Sequence, residues 1–337
     1  MSSGREQYQH TVMQGAPRAT SPSLPGQSPT LLYETEYGHM ILGRAEDALT
    51  SDLVQKYKGT VQLVFTSPPF PLNHKKKYGN LRGEKYVAWL ASFAQPLTEL
   101  LAPSGSIVIE LGNAWEPGKP VMSTLALEAL LAFRKAANLY LCQQFVCNNP
   151  ARLPSPAQWV NVERIRVKDS FTHLWWMAPS ARPKADNRRV LKPYSAAMLH
   201  LLKSGKYSSG KRPSQHHIRP TTFLKNHNGA IPSNALQFTD DLPTDFLEFS
   251  NTKATDDYQR YCRDHGLPTH PARMPIGLPE FFIKFLTEPD DLVLDPFAGS
   301  NTTGAAAEYL GRHWLSIELQ AEYVAGSRGR FSDMFMQ

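Results

Sequence analysis

Residues 290–304 read Asp290-Asp291-Leu292-Val293-Leu294-Asp295-Pro296-Phe297-Ala298-Gly299-Ser300-Asn301-Thr302-Thr303-Gly304. This is a short apolar run closed by an acid, then a turn of small residues, then polar residues that open a helix. In an open α/β sheet, ligands sit outside the carboxyl ends of the strands, where small residues let backbone N–H groups approach. Gly299 and Gly304 meet that need. The helical pattern at 303–310 leads to a second strand, Leu315-Ser316-Ile317-Glu318. Its closing acid stands about twenty residues after the turn, where a ribose-binding carboxylate belongs. The turn is not Gly-x-Gly-x-x-Gly, which disfavours a dinucleotide-dependent dehydrogenase. The stretch therefore indicates a doubly wound, mostly parallel α/β sheet with a nucleotide-type cofactor pocket late in the chain. A tight strand-helix connection without a ligand is the alternative that these residues alone leave open.

Far upstream, Leu63-Val64-Phe65-Thr66-Ser67-Pro68-Pro69-Phe70 is a second apolar strand running into a polar residue, two prolines and an aromatic. Pro-Pro straight after a strand can neither continue a ladder nor start a helix, so it forces a rigid extended turn whose carbonyls lack backbone partners. Such carbonyls can accept hydrogen bonds from an amino group. Ser67 adds a side-chain acceptor, and Phe70 offers a face on which a planar base can stack. Standing alone, the segment reads more simply as a loop with Phe70 in the core.

The two segments do not stand alone. Ser67-Pro68-Pro69-Phe70 followed much later by Asp295-Pro296-Phe297-Ala298-Gly299-Ser300 resembles the amino-methylating DNA methyltransferases, in the permuted group whose catalytic motif precedes the donor-binding motif. Ser at the first motif position is similar to the N4-cytosine branch, whereas N6-adenine enzymes usually carry Asp or Asn there. Further matches are Gly105-Ser106-Ile107-Val108-Ile109-Glu110-Leu111-Gly112, Thr172-His173-Leu174-Trp175-Trp176 and His270-Pro271-Ala272-Arg273-Met274-Pro275. Only residues 1–30 and the insert at 180–250 lie outside the pattern.

The resemblance implies a class I methyltransferase fold, S-adenosyl-L-methionine as cofactor and double-stranded DNA as partner. It also implies a role in a type II restriction-modification system, with the inner cytosine of CAGCTG as the expected target. The catalytic residues would be Ser67, Pro68, Pro69 and Phe70. Ser67 and the Pro68 carbonyl would accept the amino hydrogens while Phe70 stacks on a flipped base. Donor binding would fall to Asp295, Glu318 and the turn Phe297, Ala298, Gly299, Ser300, Asn301 and Thr302, with Pro275 closing over the methionine part. Asp47, in Gly43-Arg44-Ala45-Glu46-Asp47, is a further candidate near the donor adenine, with helix capping as its alternative. An N6-adenine methyltransferase shares every motif except the preference at Ser67. A non-catalytic DNA-binding regulator is disfavoured because Ser67, Phe70 and Asp295 are all present.

Charge placement carries the DNA expectation. The chain has 337 residues and a net charge of +6, yet between Arg182 and Asn228 eleven Lys and Arg face Asp186 as the only acid. That local surplus exceeds the surplus of the whole chain. The same stretch contains His200, His216, His217 and His227, a mixture able to read base edges as well as hold phosphate. Expected DNA contacts are Arg182, Lys184, Arg188, Arg189, Lys211, Arg212, His216, His217 and Arg219. Lys75, Lys76 and Lys77, in the loop leaving the catalytic turn, are placed on a phosphate. A solvated basic insert is the plainer alternative.

The remaining signals bound the class. Cys142, Cys147 and Cys262 are an odd set without paired metal spacing, and there is no Pro-Cys dipeptide of the kind C5-cytosine enzymes use. No metal is expected, and apolar runs are too short for a membrane span. A cytoplasmic monomer is expected. The domain reading is a disordered arm at 1–30, a catalytic half at 31–179, a target-recognition region at 180–250 and a donor-binding half at 251–337. Helical patterns fall at 48–57, 86–101, 122–137 and 278–286, strands at 61–65, 106–111, 140–146 and 172–177, and a short segment at 38–42. That alternation means a parallel sheet covered on both faces.

Overall fold

The computed structural model describes residues 28–70, 81–150, 152–207, 210–211, 217–218, 223–237 and 257–331. Lys75, Lys76, Lys77, Arg212, His216, Arg219 and nearly all of the expected N-terminal arm lie outside the described residues. Lys211 and His217 are described by backbone alone.

Nine strands among the described residues form one sheet. They are β1 Thr30–Glu34, β2 Gly38–Leu42, β3 Val61–Thr66, β4 Leu101–Gly112, β5 Tyr140–Asn148, β6 Phe171–Ala178, β7 Ala235–Gln237, β8 Leu292–Asp295 and β9 His313–Glu318. Their spatial order is β1-β2-β9-β8-β3-β4-β6-β5-β7. The run β2-β9-β8-β3-β4 is parallel throughout. β6 is antiparallel to both neighbours, β4 and β5. The fold is thus mixed at that end. The connection from β5 to β6 carries no crossover helix long enough to return the chain, so it turns back as a wide hairpin.

The helices are α1 Ala45–Thr50, α2 Asp52–Gln55, α3 Glu84–Ser92, α4 Ala94–Leu100, α5 Leu125–Ala136, α6 Ala196–Ser204, α7 Asp257–Asp264, α8 Gly277–Leu286, α9 Thr302–Tyr309 and α10 Ala321–Ser327. The helix expected over 86–101 is two helices. Pro96 has no N–H to pair with Ser92, so the chain restarts and Pro96 falls in the first turn of α4. The pattern at 122–137 begins as helix only at Leu125, because Met122–Ser123 pairs with Ala114–Trp115 in a small hairpin.

The strand alternation supplies two cores. On one face Val64, Ile107, Ile109, Leu294 and Ile317 pack with α1, α3, α4 and α5. On the other, Leu63, Phe65, Val108, Val293 and Trp314 pack with α8, α9 and α10. Every residue of β3 is buried, as expected of a central strand covered on both sides. At the far edge, Gly38 must be glycine, since a Cβ there would lie 2.2 Å from the Trp314 ring.

This layering positions the site. β3 leads toward α3 and α4 on one face, while its neighbour β8 leads into α9 on the other. A crevice therefore opens between their carboxyl ends, the place where open α/β sheets bind ligands. No helix among the described residues is long and apolar enough to cross a membrane.

Candidate active site

The donor-side turn leaves β8 after Asp295, which is only 2% exposed. Asp295 accepts hydrogen bonds from Thr66 Oγ1 (2.7 Å), Thr303 Oγ1 (2.7 Å) and the Phe297 backbone N–H (3.0 Å). Burial pushes its carboxyl up to about 6 against those bonds. Three protein donors and near-complete burial make Asp295 an anchor of the turn.

Glu318, at the carboxyl end of β9, is largely but not fully buried. It accepts from Gly299 N–H through Oε2 and from Gln320 N–H through Oε1, each at 2.8 Å. Each carboxylate oxygen still has acceptor capacity for a hydroxyl. Burial pushes this carboxyl up to about 7, while the Gln320 and Gly299 amides pull the other way.

Within the turn, Gly299 adopts the left-handed φ of 54°, and a Cβ there would meet the His270 ring at 3.1 Å. His270 is held by Tyr258, whose hydroxyl accepts from its backbone N–H at 2.8 Å. His270, at the start of the segment that leads through Pro275 into α8, thus stands against the donor turn. Ala298 and Thr302 are buried in the same turn. Ser300 and Asn301 are also buried but engaged by the protein. Arg330 donates to the Ser300 carbonyl and hydroxyl, while Asn301 Oδ1 accepts from Ser316 Oγ at 2.7 Å and caps α9 through Gly304 N–H. Phe297 packs against Trp89 and Phe93, with ring centroids 5.5 and 5.1 Å away.

Asp47 lies on α1. It is exposed in the first turn of α1, near Arg44. Its neighbour Glu46 is turned inward and accepts from Trp89 Nε1 at 2.9 Å, next to Phe297.

The catalytic turn follows β3 directly. Ser67 is half-buried and hydrogen-bonds Glu110, the buried acid on β4, which also accepts from Thr172 Oγ1 at 2.8 Å. Burial raises the Glu110 carboxyl, and the Thr172 and Ser67 bonds lower it. Tyr86 on α3 donates to the Pro69 carbonyl at 2.8 Å, fixing the turn from below. Phe70 stands over Gly112 at the end of β4, where a Cβ would fall 2.5 Å from its ring. Phe70 is partly buried against the first core, with Ser67 in the same turn.

The basic residues divide. β6 runs opposite to β4, so the chain emerges from Ala178 at the amino edge of the parallel strands, away from the crevice. There Lys184 N–H bonds the Ser104 carbonyl, and its ammonium pairs with Asp291 at 2.9 Å. Arg188 pairs with Asp186 at 2.7 Å and Arg189 with Glu288 at 3.5 Å. The exposed Arg182 leaves from the same edge. The structure therefore does not bring Arg182, Lys184, Arg188 or Arg189 to the site, because strand direction and not sequence position decides which edge an insert leaves from.

Sequence reasoning assigned no role to Glu110, Thr172, Thr66, Thr303 or Tyr86. Thr66 and Thr303 flank quoted motifs and were available as short polar partners. Glu110 was visible as an acid in an otherwise apolar strand. Cys147 is a buried thiol, pushed up to about 12 by desolvation, and so a poor nucleophile.

A sheet with a donor turn and an amine-receiving turn on adjacent strands defines an amino-group methyltransferase. Residues 61–328 match the N6/N4 methyltransferase family model, described as DNA methylase. The type II methyltransferase M.PvuII of Proteus hauseri is 42% identical over 303 residues, covering 89% of this chain and 85% of that one. The type II methyltransferase M.BglII of Bacillus subtilis is 24% identical over 79% of this chain and 62% of its own length. The solved structure of PvuII DNA methyltransferase (cytosine-N4-specific) aligns with a TM-score of 0.67 and 37% identity, covering 88% of this chain and 87% of that one. The chain belongs to this family of DNA methylases, enzymes that take their methyl group from S-adenosyl-L-methionine. Glu318 with its free acceptor capacity, the left-handed Gly299 and the covering His270 fit such a nucleoside-bearing cofactor.

Proposed function

We infer that this methyltransferase acts on the exocyclic N4 of a cytosine flipped out of double-stranded DNA, at the inner cytosine of CAGCTG. It does so as the protective partner of a type II restriction system, working as a monomer in the cytoplasm. The observation that carries the reading is the Ser67–Glu110 bond, set at the carboxyl end of β3 beside the β8 turn.

S-adenosyl-L-methionine supplies an electrophilic methyl group on sulfur. The chain's own residues do the rest. Cytosine N4 is conjugated with its ring and must become more tetrahedral to attack. Because Ser67 hydrogen-bonds Glu110, its hydroxyl can donate to that carboxylate while its lone pairs accept one N4 hydrogen. The Pro68 carbonyl takes the other, since Tyr86 already occupies that of Pro69. As N4 gains a methyl and positive charge, one N4 proton passes to Ser67 oxygen while the Ser67 proton passes to Glu110. A buried carboxylate with a raised pKa suits that acceptance. Phe70 stacks on the ring, and positioning supplies most of the rate. Lys75 to Lys77 and the set Lys211, Arg212, His216, His217 and Arg219 remain our proposed DNA contacts.

Sequencing DNA from cells that express the chain tests the reading. N4-methylcytosine at the inner position of CAGCTG is the expected result. Methyl on adenine N6, or N4-methylcytosine in another sequence, would replace the base or the site.

A further inference from the structure

The connection from β5 to β6, residues 149–170, rises from the same sheet edge as the catalytic turn and has no role in the mechanism above. Its two legs are pinned. Asp169 N–H bonds the Ser155 carbonyl at 3.2 Å, and Lys168 Nζ bonds the Pro150 carbonyl at 2.7 Å. The base of the loop is tied to the pocket. Asn113, next to the Gly112 that supports Phe70, donates to Asp169 Oδ1 at 2.8 Å and contacts His173 Nε2 at 3.0 Å. Three residues beyond Asp169 comes Thr172, the partner of Glu110, roughly 10 Å along an extended chain.

On this fixed frame, apolar side chains point into solvent. Leu153 is 80% exposed and Val167 is 87% exposed, one on each leg. Cations neighbour Val167 along the chain: Arg164, Arg166 and Lys168 are all exposed, with Glu163 the only exposed acid in the run 161–168. Exposed apolar groups on a pinned loop that also carries exposed cations are complementary to nucleic acid. Phosphates take the cations, and an apolar wedge can stand between bases.

We propose that Leu153 and Val167, on the two legs of the loop, enter the duplex where the target cytosine leaves it, holding the gap open while Arg164 and Arg166 grip the flanking phosphates. The inference rests on the reading of the chain as a methyltransferase that flips cytosine. Flipping costs unstacking and unpairing, least for a base already mispaired. A wedge therefore matters for a paired target and loses its importance when the opposite base cannot pair.

The test is single-turnover methyl transfer by the Leu153→Ala, Val167→Ala double variant on two duplexes, one with guanine and one with adenine opposite the target cytosine. On the paired duplex we expect slowing by about ten-fold or more, and on the mispaired duplex a rate close to wild type. In parallel, 2-aminopurine placed at the target should brighten with wild type and stay dim with the variant. Leu153→Phe, which keeps an apolar wedge, should retain the signal. Equal slowing on both duplexes, or no slowing on either, overturns the wedge. No slowing together with a loss of self-association in sedimentation would assign the patch to a second copy of the chain. If wild type itself methylates neither duplex, the N4 reading has failed instead.

Discussion

Thr66 and Asp295 are 229 positions apart in the chain and joined by a 2.7 Å hydrogen bond. Thr66 ends the strand that opens into the catalytic turn, and Asp295 ends the strand that opens into the donor turn. One buried bond therefore sets the register between amine and methyl donor. Thr66→Val would remove one of the two donors on Asp295 Oδ1, leaving the Phe297 N–H, and destabilise the fold by about 1–3 kcal/mol. Denaturant unfolding checks the stability change, and Thr66→Ser should restore both stability and turnover. If Thr66→Val instead left both unchanged, the bond would have no part in alignment.

Glu318 predicts a pH dependence of donor affinity. Its carboxyl sits at about 7 in the folded protein, above the ordinary carboxylate range, chiefly through burial. Only the ionised form can accept from two ribose hydroxyls. Affinity for S-adenosyl-L-methionine should therefore fall as pH drops below about 7, by up to roughly ten-fold per unit, and binding should release a proton. The sign for stability of the free protein is opposite. The folded state holds this proton more tightly than the unfolded chain, so the stability Glu318 contributes declines as pH rises from about 4 to about 7. Calorimetry in buffers of different ionisation enthalpy measures the proton release. Glu318→Gln should abolish it.

Gly112 offers a probe of Phe70 that leaves the aromatic in place. Gly112→Ala puts a methyl group 2.5 Å from the ring, so Phe70 must move. Capture of the target base should weaken by about 1–3 kcal/mol, the worth of stacking on an aromatic. Donor affinity should hold. Phe70→Ala should act in the same direction, and loss of donor affinity in either variant would assign the ring to the cofactor pocket.

The amino-edge cations should be silent toward DNA. Arg188→Ala removes a side chain paired with Asp186, on the far side of the sheet from the crevice. The salt dependence of DNA affinity should not change, whereas losing a phosphate contact would lower the slope by about one unit. A lowered slope for Arg188→Ala or Lys184→Ala would mean that DNA wraps to the opposite edge.

These cases show what was legible in the sequence. The strand at 292–295, its turn and the following helix could be read locally, because an apolar run, an acid and glycines fix their own conformation. The Ser67-Pro68-Pro69-Phe70 turn was equally local. Partners such as Glu110 for Ser67, Tyr86 for Pro69 and Asn113 for Asp169 meet only when strands pair, and no spacing in the chain announces them. The basic insert misled in part for the same reason. Its charge was plain, but the antiparallel course of β6 delivers its first third to the wrong edge. Pro96 dividing α3 from α4 was visible and under-read.

In the proposed mechanism Ser67, backed by Glu110, receives the amino group of cytosine. The most direct test of that role is single-turnover methyl transfer to a CAGCTG duplex by Ser67→Ala, with the product nucleosides identified by mass spectrometry and donor binding followed by calorimetry. Removing one acceptor that strengthens as N4 becomes charged should slow transfer by tens- to hundreds-fold, with donor affinity and folding intact, since such a bond is worth about 1.5–3 kcal/mol. The residual product should still be N4-methylcytosine. Undiminished transfer by Ser67→Ala, or methyl recovered on adenine from the unmutated chain, would contradict the account.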